Sequence, residues 1–277
     1  MKIVSQARFT CGLLCVMLVA LGGCVDWSSQ KPTPETAQRA LKLRGIEYNE
    51  KSFFETVTLG DLWAVNAFLA AGMNPNVRNE NQETALMVAS VRGDVPVIKA
   101  LLAGGADINA VNKDGRTALL RALYQERDEA AQLQLDRQAD VNVQDNEGQS
   151  ALIVAVWKKP HLVPLLLAKG ASVNAQDIDG DTALMRAAAY NRVENTRDLL
   201  GRGADPNLKN KHTWTPLTYA AANGYEEIVR ELLGRGADAS VRDYKDRTAR
   251  MRALEGGYTN IATLLADAEK SKSATSR

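Results

Sequence analysis

The side chains able to do covalent or acid–base chemistry are few, and their spacing is wrong for it. His161 and His212 are the only histidines and stand 51 residues apart, while Cys11, Cys15 and Cys24 all fall within the first 24 residues. A serine hydrolase needs its nucleophile on a G-x-S-x-G turn, a zinc hydrolase two histidines on one helix face, and a nucleotide enzyme a glycine-rich phosphate loop. None of these patterns occurs. Asp177 and Asp179 are spaced as calcium ligands could be, yet they fall on a recurring turn, where aspartate satisfies its own backbone. The expectation is a non-enzyme with no catalytic residue, no cofactor and no metal. From residue 25 onward there is no cysteine, which excludes a disulfide or thiol nucleophile there. Setting aside Lys2 and Arg8 with residues 1–23 leaves 32 basic against 33 acidic side chains. Without an excess of positive charge, nucleic acid is not an expected partner.

What the chain has instead is a period. Residues 176–208, QDIDGDTALMRAAAYNRVENTRDLLGRGADPNL, recur along it. The Thr-Ala-Leu start returns at Thr84, Thr117, Ser150, Thr182, Thr215 and Thr248, at spacings of 33, 33, 32, 33 and 33. The close returns in step as Gly105-Ala106-Asp107, Gln138-Ala139-Asp140, Gly170-Ala171-Ser172, Gly203-Ala204-Asp205 and Gly236-Ala237-Asp238. A fixed period of this length predicts a stacked solenoid in which each unit touches only its neighbours. Small Ala89, Ala122, Ala155, Ala187 and Ala220 would let helices approach. The pairs Leu101-Leu102, Leu166-Leu167, Leu199-Leu200 and Leu232-Leu233 would fill the space between layers.

These residues resemble the ankyrin repeat, whose D-G-x-T-P-L turn and G-A-D-x-N close are matched by DGRTALL at 114–120, DGDTALM at 179–185 and GADPN at 203–207. The resemblance covers about 46–266 and implies an all-α ankyrin-repeat solenoid of helix-turn-helix units with hairpin-like turns. The family's usual histidine after T-P-L is replaced here by Met87, Leu120, Ile153, Met185, Thr218 and Met251, removing a polar cross-link between turns. The expected organisation is a helix and capping repeat over 35–77, five repeats over 78–241, a C-terminal cap over 242–266 and a solvated polar tail over 267–277. Glu126 and Gln138 stand where glycine would end a helix, which should cost local stability. The unit 144–175 is one residue short within VWKKPHLVP, either by drift or to shape a pocket.

Residues 1–23 combine Lys2 and Arg8, an apolar run from Phe9 to Leu21 and a small pair, Gly22-Gly23, and read as a secretory signal. Leu21-Gly22-Gly23-Cys24 resembles the bacterial lipobox, which would make Cys24 a lipidated first residue of the mature chain. Residues 24–34 would then tether the repeats close to a membrane, with Val25 after the cysteine favouring the periplasmic side of the outer membrane over the inner one.

In ankyrin arrays, partner contacts come from variable positions on a concave face, lined by hairpin tips and first helices. Carried over, these positions hold Tyr124, Trp157, Lys158, Tyr190, Trp214, Tyr244, Arg116, Asp181, Lys211 and Arg247. In a chain only 5% aromatic, five large aromatics on that face are the strongest functional signal. Tyr225 and Tyr258 are assigned to packing. The expected function is that of a monomeric, membrane-anchored, extracytoplasmic protein that binds a protein partner. Its build resembles immunity proteins that inhibit periplasm-acting toxins such as type VI secreted lipases, so a secreted hydrolase is one candidate partner. The alternative is a scaffold or chaperone-like factor for an envelope enzyme or complex.

Overall fold

The computed structural model describes residues 32–275. The expected signal segment, Cys24 and all but the last three residues of the tether lie outside the described residues. Helix α1 (Pro34–Leu43) is followed by seven helix pairs among the described residues: α2 (Glu50–Leu59) with α3 (Leu62–Ala70), α4 (Ala85–Arg92) with α5 (Val95–Ala103), α6 (Ala118–Tyr124) with α7 (Asp128–Asp136), α8 (Ala151–Lys158) with α9 (Val163–Ala168), α10 (Ala183–Ala189) with α11 (Val193–Gly201), α12 (Pro216–Ala222) with α13 (Glu226–Gly234), and α14 (Ala249–Glu255) with α15 (Thr259–Thr275). First helices stack on first helices and second on second. Among the described residues the only β pairing is three isolated bridges within hairpins: Arg78 with Thr84, Gln176 with Thr182, and Arg242 with Thr248. The fold is an all-α repeat solenoid, and no described helix is long and apolar enough to cross a membrane.

The 33-residue period has a direct cause, because each recurring Thr or Ser is a helix N-cap. The side chains of Thr84, Thr117, Ser150, Thr182, Thr215 and Thr248 accept from the backbone N–H three residues on, at 3.2 to 3.4 Å. Each satisfies a donor the helix cannot reach and is worth about 1 kcal/mol. The replaced family histidine leaves an apolar layer, with Met87, Leu120, Ile153 and Met185 fully buried. Met251 alone of these is 42% exposed, because among the described residues no further first helix stacks on the outer side of α14. The alanines at 89, 122, 155, 187 and 220 and the leading leucines at 101, 166, 199 and 232 are all at zero exposure, forming one continuous core.

A second bond system ties each unit to the next on the far side of the hairpins. The side-chain oxygens of Asn76, Asn109, Asn142, Asn174 and Asn207 accept from the N–H of Asp107, Asp140, Ser172, Asp205 and Asp238 at 2.7 to 2.9 Å. At four of these steps the amide also donates to a glycine carbonyl, at Gly105, Gly170, Gly203 and Gly236. The next position in the series is Ser240, whose hydroxyl turns back onto Asp238, so the chain of bonds ends there.

The irregular units are accommodated locally. Glu126 and Gln138 adopt left-handed φ of 58° and 62°, as their glycine counterparts do. Glu126 recovers part of the strain by facing Lys158 at 3.7 Å and Lys159 at 3.8 Å. In the short unit α8 runs straight into a 3-10 turn, Pro160–Leu162, without the left-handed residue other units use. Asn195 of the next unit then satisfies the Pro160 carbonyl at 2.9 Å. At the C-terminus no break occurs at 266. DAEKSKSAT contains no Gly or Pro, and α15 continues through it to Thr275, with Glu269 3.5 Å from Arg250.

Candidate functional site

Every hairpin is built around one Asn or Asp: Asn79, Asn112, Asp145, Asp177, Asn210 and Asp243. Its Oδ1 accepts from the N–H groups two and four residues on, as Asp177 does from Asp179 at 3.0 Å and Asp181 at 2.8 Å. This geometry closes the turn and leaves the other polar atom of the side chain pointing into the stack. That atom organises the base of the hairpin face.

The Asp145 Oδ2 accepts from Arg116 Nε and the Tyr124 hydroxyl, both at 3.0 Å, with the Arg116 guanidinium 4.4 Å from the Tyr124 ring centre. Asp177 Oδ2 accepts from Gln149 at 2.9 Å and Arg186 at 2.8 Å. Asn210 donates to Asp181 at 2.7 Å, and the Tyr219 hydroxyl donates to the same Asp181 oxygen at 3.2 Å. Asp243 Oδ2 is held by Arg252, which lies 4.6 Å over the Trp214 ring. Asp145, Asp177 and Asp243 have side chains at zero exposure. Buried carboxylates on this scale persist only when paired and hydrogen-bonded. Asp145 and Asp177 are each shared with the preceding unit, whereas Asp243 is held within its own unit and meets the preceding one only through the Arg252 guanidinium over Trp214.

Burial beside Asp145 and Asp181 pushes the Tyr124 and Tyr219 phenols well above their ordinary range. For Asp243, burial pulls the carboxyl upward. The N–H donors of Arg247 and Lys245 and the Arg252 guanidinium outweigh it, holding the group below its usual value.

This layer revises the candidate partner residues. Asp181 is only 5% exposed and fully engaged by Asn210, Tyr219 and, at 3.3 Å, Arg186, so it serves the stack and not the solvent. Arg116 and Tyr124 are half-buried in the Asp145 cluster. Arg247 is turned onto Glu255 at 2.8 Å. Trp214 is half-buried edge-on to Tyr219, at 4.8 Å between centres. Trp157 is half-buried under the Lys158 ammonium, 4.4 Å from its ring. The candidates left facing solvent are Lys211, Tyr190 at 46% exposure and Tyr244 at 59%.

The hairpin tips form a row. The N–H of Lys113, Asn146, Ile178, Lys211 and Tyr244 donates to the tip carbonyl of the preceding hairpin, at Asn81, Asp114, Glu147, Asp179 and His212, over 3.4, 2.9, 2.9, 2.9 and 3.3 Å. The three short bonds follow hairpins that end on Gly115, Gly148 and Gly180, and the two long ones follow Gln82 and Thr213, which hold the same left-handed turn at φ 58° and 57°. A Cβ on Gly148 would lie 2.8 Å from the Asp177 Cα, so a side chain at this position holds the next hairpin off.

Sequence reasoning missed Arg186, Tyr219 and Arg252, which sit nine residues after the hairpin Asx at 177, 210 and 243. A long polar residue at that fixed offset is the signal that marks them. In the third hairpin the offset position is Val154, and Tyr124 reaches across from the preceding unit to serve Asp145 instead. Among the described residues no group of three or more His, Cys, Asp or Glu is placed to hold a metal ion.

The family model for ankyrin repeats matches three times, over residues 53–145, 121–210 and 184–276. Among solved structures, the chain is similar to an ankyrin repeat domain from Acinetobacter baumannii AYE, with 32% identity and a TM-score of 0.62 over 66% of this chain and 96% of that one. No curated protein matches it.

Proposed function

The chain belongs to the ankyrin-repeat family, whose fold is an interaction scaffold, and from that premise we propose that it binds a protein partner through its hairpin face. The observation that carries the reading is the division of that face into a locked polar base and an exposed rim bearing Ile178, Lys211 and Tyr244, with Tyr190 exposed at the far end of the first helix α10. Aromatic side chains over a rigid support lose little entropy on binding and concentrate affinity. We further propose that Cys24 carries a lipid anchor that holds the repeats outside the cytoplasm, on the periplasmic side of the outer membrane. The partner is then a periplasm-acting toxin, such as a secreted lipase, whose active-site cleft the rim covers. What supports these finer steps is the Leu21-Gly22-Gly23-Cys24 pattern and the exposed rim.

The test is capture from detergent-solubilised envelope by the full-length chain, compared with Tyr190→Ala/Tyr244→Ala. Hot-spot aromatics cost at least about 2 kcal/mol each on truncation, so capture should fall by more than tenfold. Equal capture by the variant sinks the rim as the binding surface. Sensitivity of a deletion strain to neighbouring wild-type cells supports the immunity role, whereas a captured partner that is present in unchallenged cells, with no such sensitivity, identifies a scaffold. Labelled palmitate incorporated by the wild type and lost in Cys24→Ser tests the anchor, and label that persists in the variant refutes it.

A further inference from the structure

The tip row changes sign along its length. At the second tip position the chain carries Asp114, Glu147 and Asp179 on three successive hairpins, then His212 and Lys245 on the next two. At the first tip position Lys113, turned onto Asn81 at 2.7 Å, offsets Asp114, so the negative stretch is centred on Glu147 and Asp179 and the positive one on Lys211 and Lys245. The backbone bonds between tips hold these residues in one continuous line. The charges are also left available. Lys211 and Lys245 make no ion pair among the described residues, although Lys245 lies 5.3 Å from the Tyr244 ring. The acids that could have neutralised them are engaged elsewhere, Asp246 by Arg242 at 2.9 Å and Glu255 by Arg247 at 2.8 Å. At the other end Asp114 and Asp179 likewise make no ion pair among the described residues, and Glu147 has a 3.7 Å contact with Arg116. Two exposed apolar side chains stand in the row, Ile178 at 58% just before the sign changes and Tyr244 at 59% beside Lys245 in the positive stretch.

We infer that the rim recognises a protein segment of opposite polarity, with a carboxylate-rich end seated over Lys211 and Lys245 and a cationic end over Glu147 and Asp179. This rests on the hairpin-face reading above and fixes the partner's chemistry and its direction along the stack. Net charge near zero conceals the arrangement, because the two halves cancel. Complementary potentials of this kind set register and speed encounter more than they raise affinity. The recognition is therefore expected to weaken with salt as the screening length shrinks.

The test uses the purified full-length chain in neutral detergent and two fluorescein-labelled dodecapeptides, one alternating Glu with Gly and Tyr, the other Lys with Gly and Tyr. Anisotropy titrations at low salt are repeated on Lys211→Glu/Lys245→Glu and on Glu147→Lys/Asp179→Lys. All four positions are tip residues outside the buried layer, so both variants keep the fold, which circular dichroism checks. The expected result is that the first variant binds the acidic peptide about tenfold more weakly and keeps the basic one, and that the second does the reverse, given exposed ion pairs of up to about 1 kcal/mol each. Failure of the acidic peptide to bind the wild type, or equal binding by wild type and first variant, overturns the proposal. Capture of an envelope protein that both charge variants retain would likewise refute the polarity while leaving partner binding through the rim intact. If the wild type captures nothing yet the peptides sort as expected, the polarity stands and the partner-binding reading fails.

Discussion

Position 213 offers a substitution that should strengthen the array. Thr213 is β-branched and sits at φ 57°, the left-handed turn that Gly115, Gly148 and Gly180 supply in neighbouring hairpins. A side chain in that region costs about 1 to 2 kcal/mol, and glycine gives back roughly 0.5 to 1 kcal/mol through its freer unfolded chain. Thr213 gains little in return, since its hydroxyl meets only the exposed His212 carbonyl at 2.7 Å. Thr213→Gly should therefore stabilise by about 0.5 to 1 kcal/mol, or about 1 to 4 °C in Tm at the scale usual for a domain of this size. The Tyr244 N–H, now 3.3 Å from the His212 carbonyl, should close toward the 2.9 Å seen after the glycine turns and exchange its hydrogen more slowly. Gly148→Ala is the mirror experiment. There the left-handed φ of 73° is joined by a Cβ 2.8 Å from the Asp177 Cα and Ile178 N, backbone atoms that cannot swing aside. The combined strain should cost about 2 to 4 kcal/mol. Thermal and urea unfolding followed by circular dichroism read both, with site-resolved hydrogen exchange showing whether the change stays at the altered joint, since repeat arrays transmit stability mainly to neighbours. A destabilised Thr213→Gly, or a neutral Gly148→Ala, would refute the idea that the residue in the left-handed turn sets the spacing between tips.

The buried polar layer leads to two more expected outcomes. Because the folded state holds the Asp243 carboxyl below its ordinary 3.8, its ionised form favours folding above that pH, and the contribution is lost as pH falls through 3.8 toward the folded value. The urea midpoint of the wild type should thus drop more between pH 5 and pH 3 than that of Asp243→Asn, and parallel curves would contradict the assignment. Arg186→Met removes the cation shared by Asp177 and Asp181 at 2.8 and 3.3 Å and leaves two buried carboxylates short of a partner. A loss of about 3 kcal/mol is expected, with the 176–208 unit losing hydrogen-exchange protection first; a loss below about 1 kcal/mol would show that water replaces the guanidinium.

The fold was legible because its determinants are local and repeated. An N-cap threonine and a helix-ending glycine each announce themselves at a single position, and the period multiplies the signal. The exceptions at Glu126 and Gln138 were legible as well, since they break a visible rule. The site was less so. The residue before each threonine varies in type among Glu83, Arg116, Gln149, Asp181, Trp214 and Arg247, which in sequence reads as a surface under selection for contact. In the fold Arg116, Gln149 and Asp181 reach the next hairpin's Asx, so their variation tracks an internal partner one repeat away. Whether Tyr124 meets a ligand or a neighbouring aspartate is decided by Val154, 30 residues on, which leaves Asp145 without a polar residue of its own unit. The extension of α15 beyond 266 escaped notice for a plainer reason: polar composition suggests solvent contact, and only the lack of helix breakers reveals continued helix.

The joints between units have a consequence for how such a chain acquires its length. From Asn76 to Asn207 each seam is closed by the same Asn side chain on one flank and by the same backbone bond between hairpin tips on the other, so an internal unit presents to its successor the backbone groups it receives from its predecessor. Duplication or loss of one 33-residue segment in the gene thus yields a chain whose new seam is already furnished. Ser240, where the series of asparagines stops, and Met251, bare of a covering helix, mark the place where that interchangeability ends. The number of tips is a quantity inheritance can alter in whole steps, while the two ends must be kept as they are.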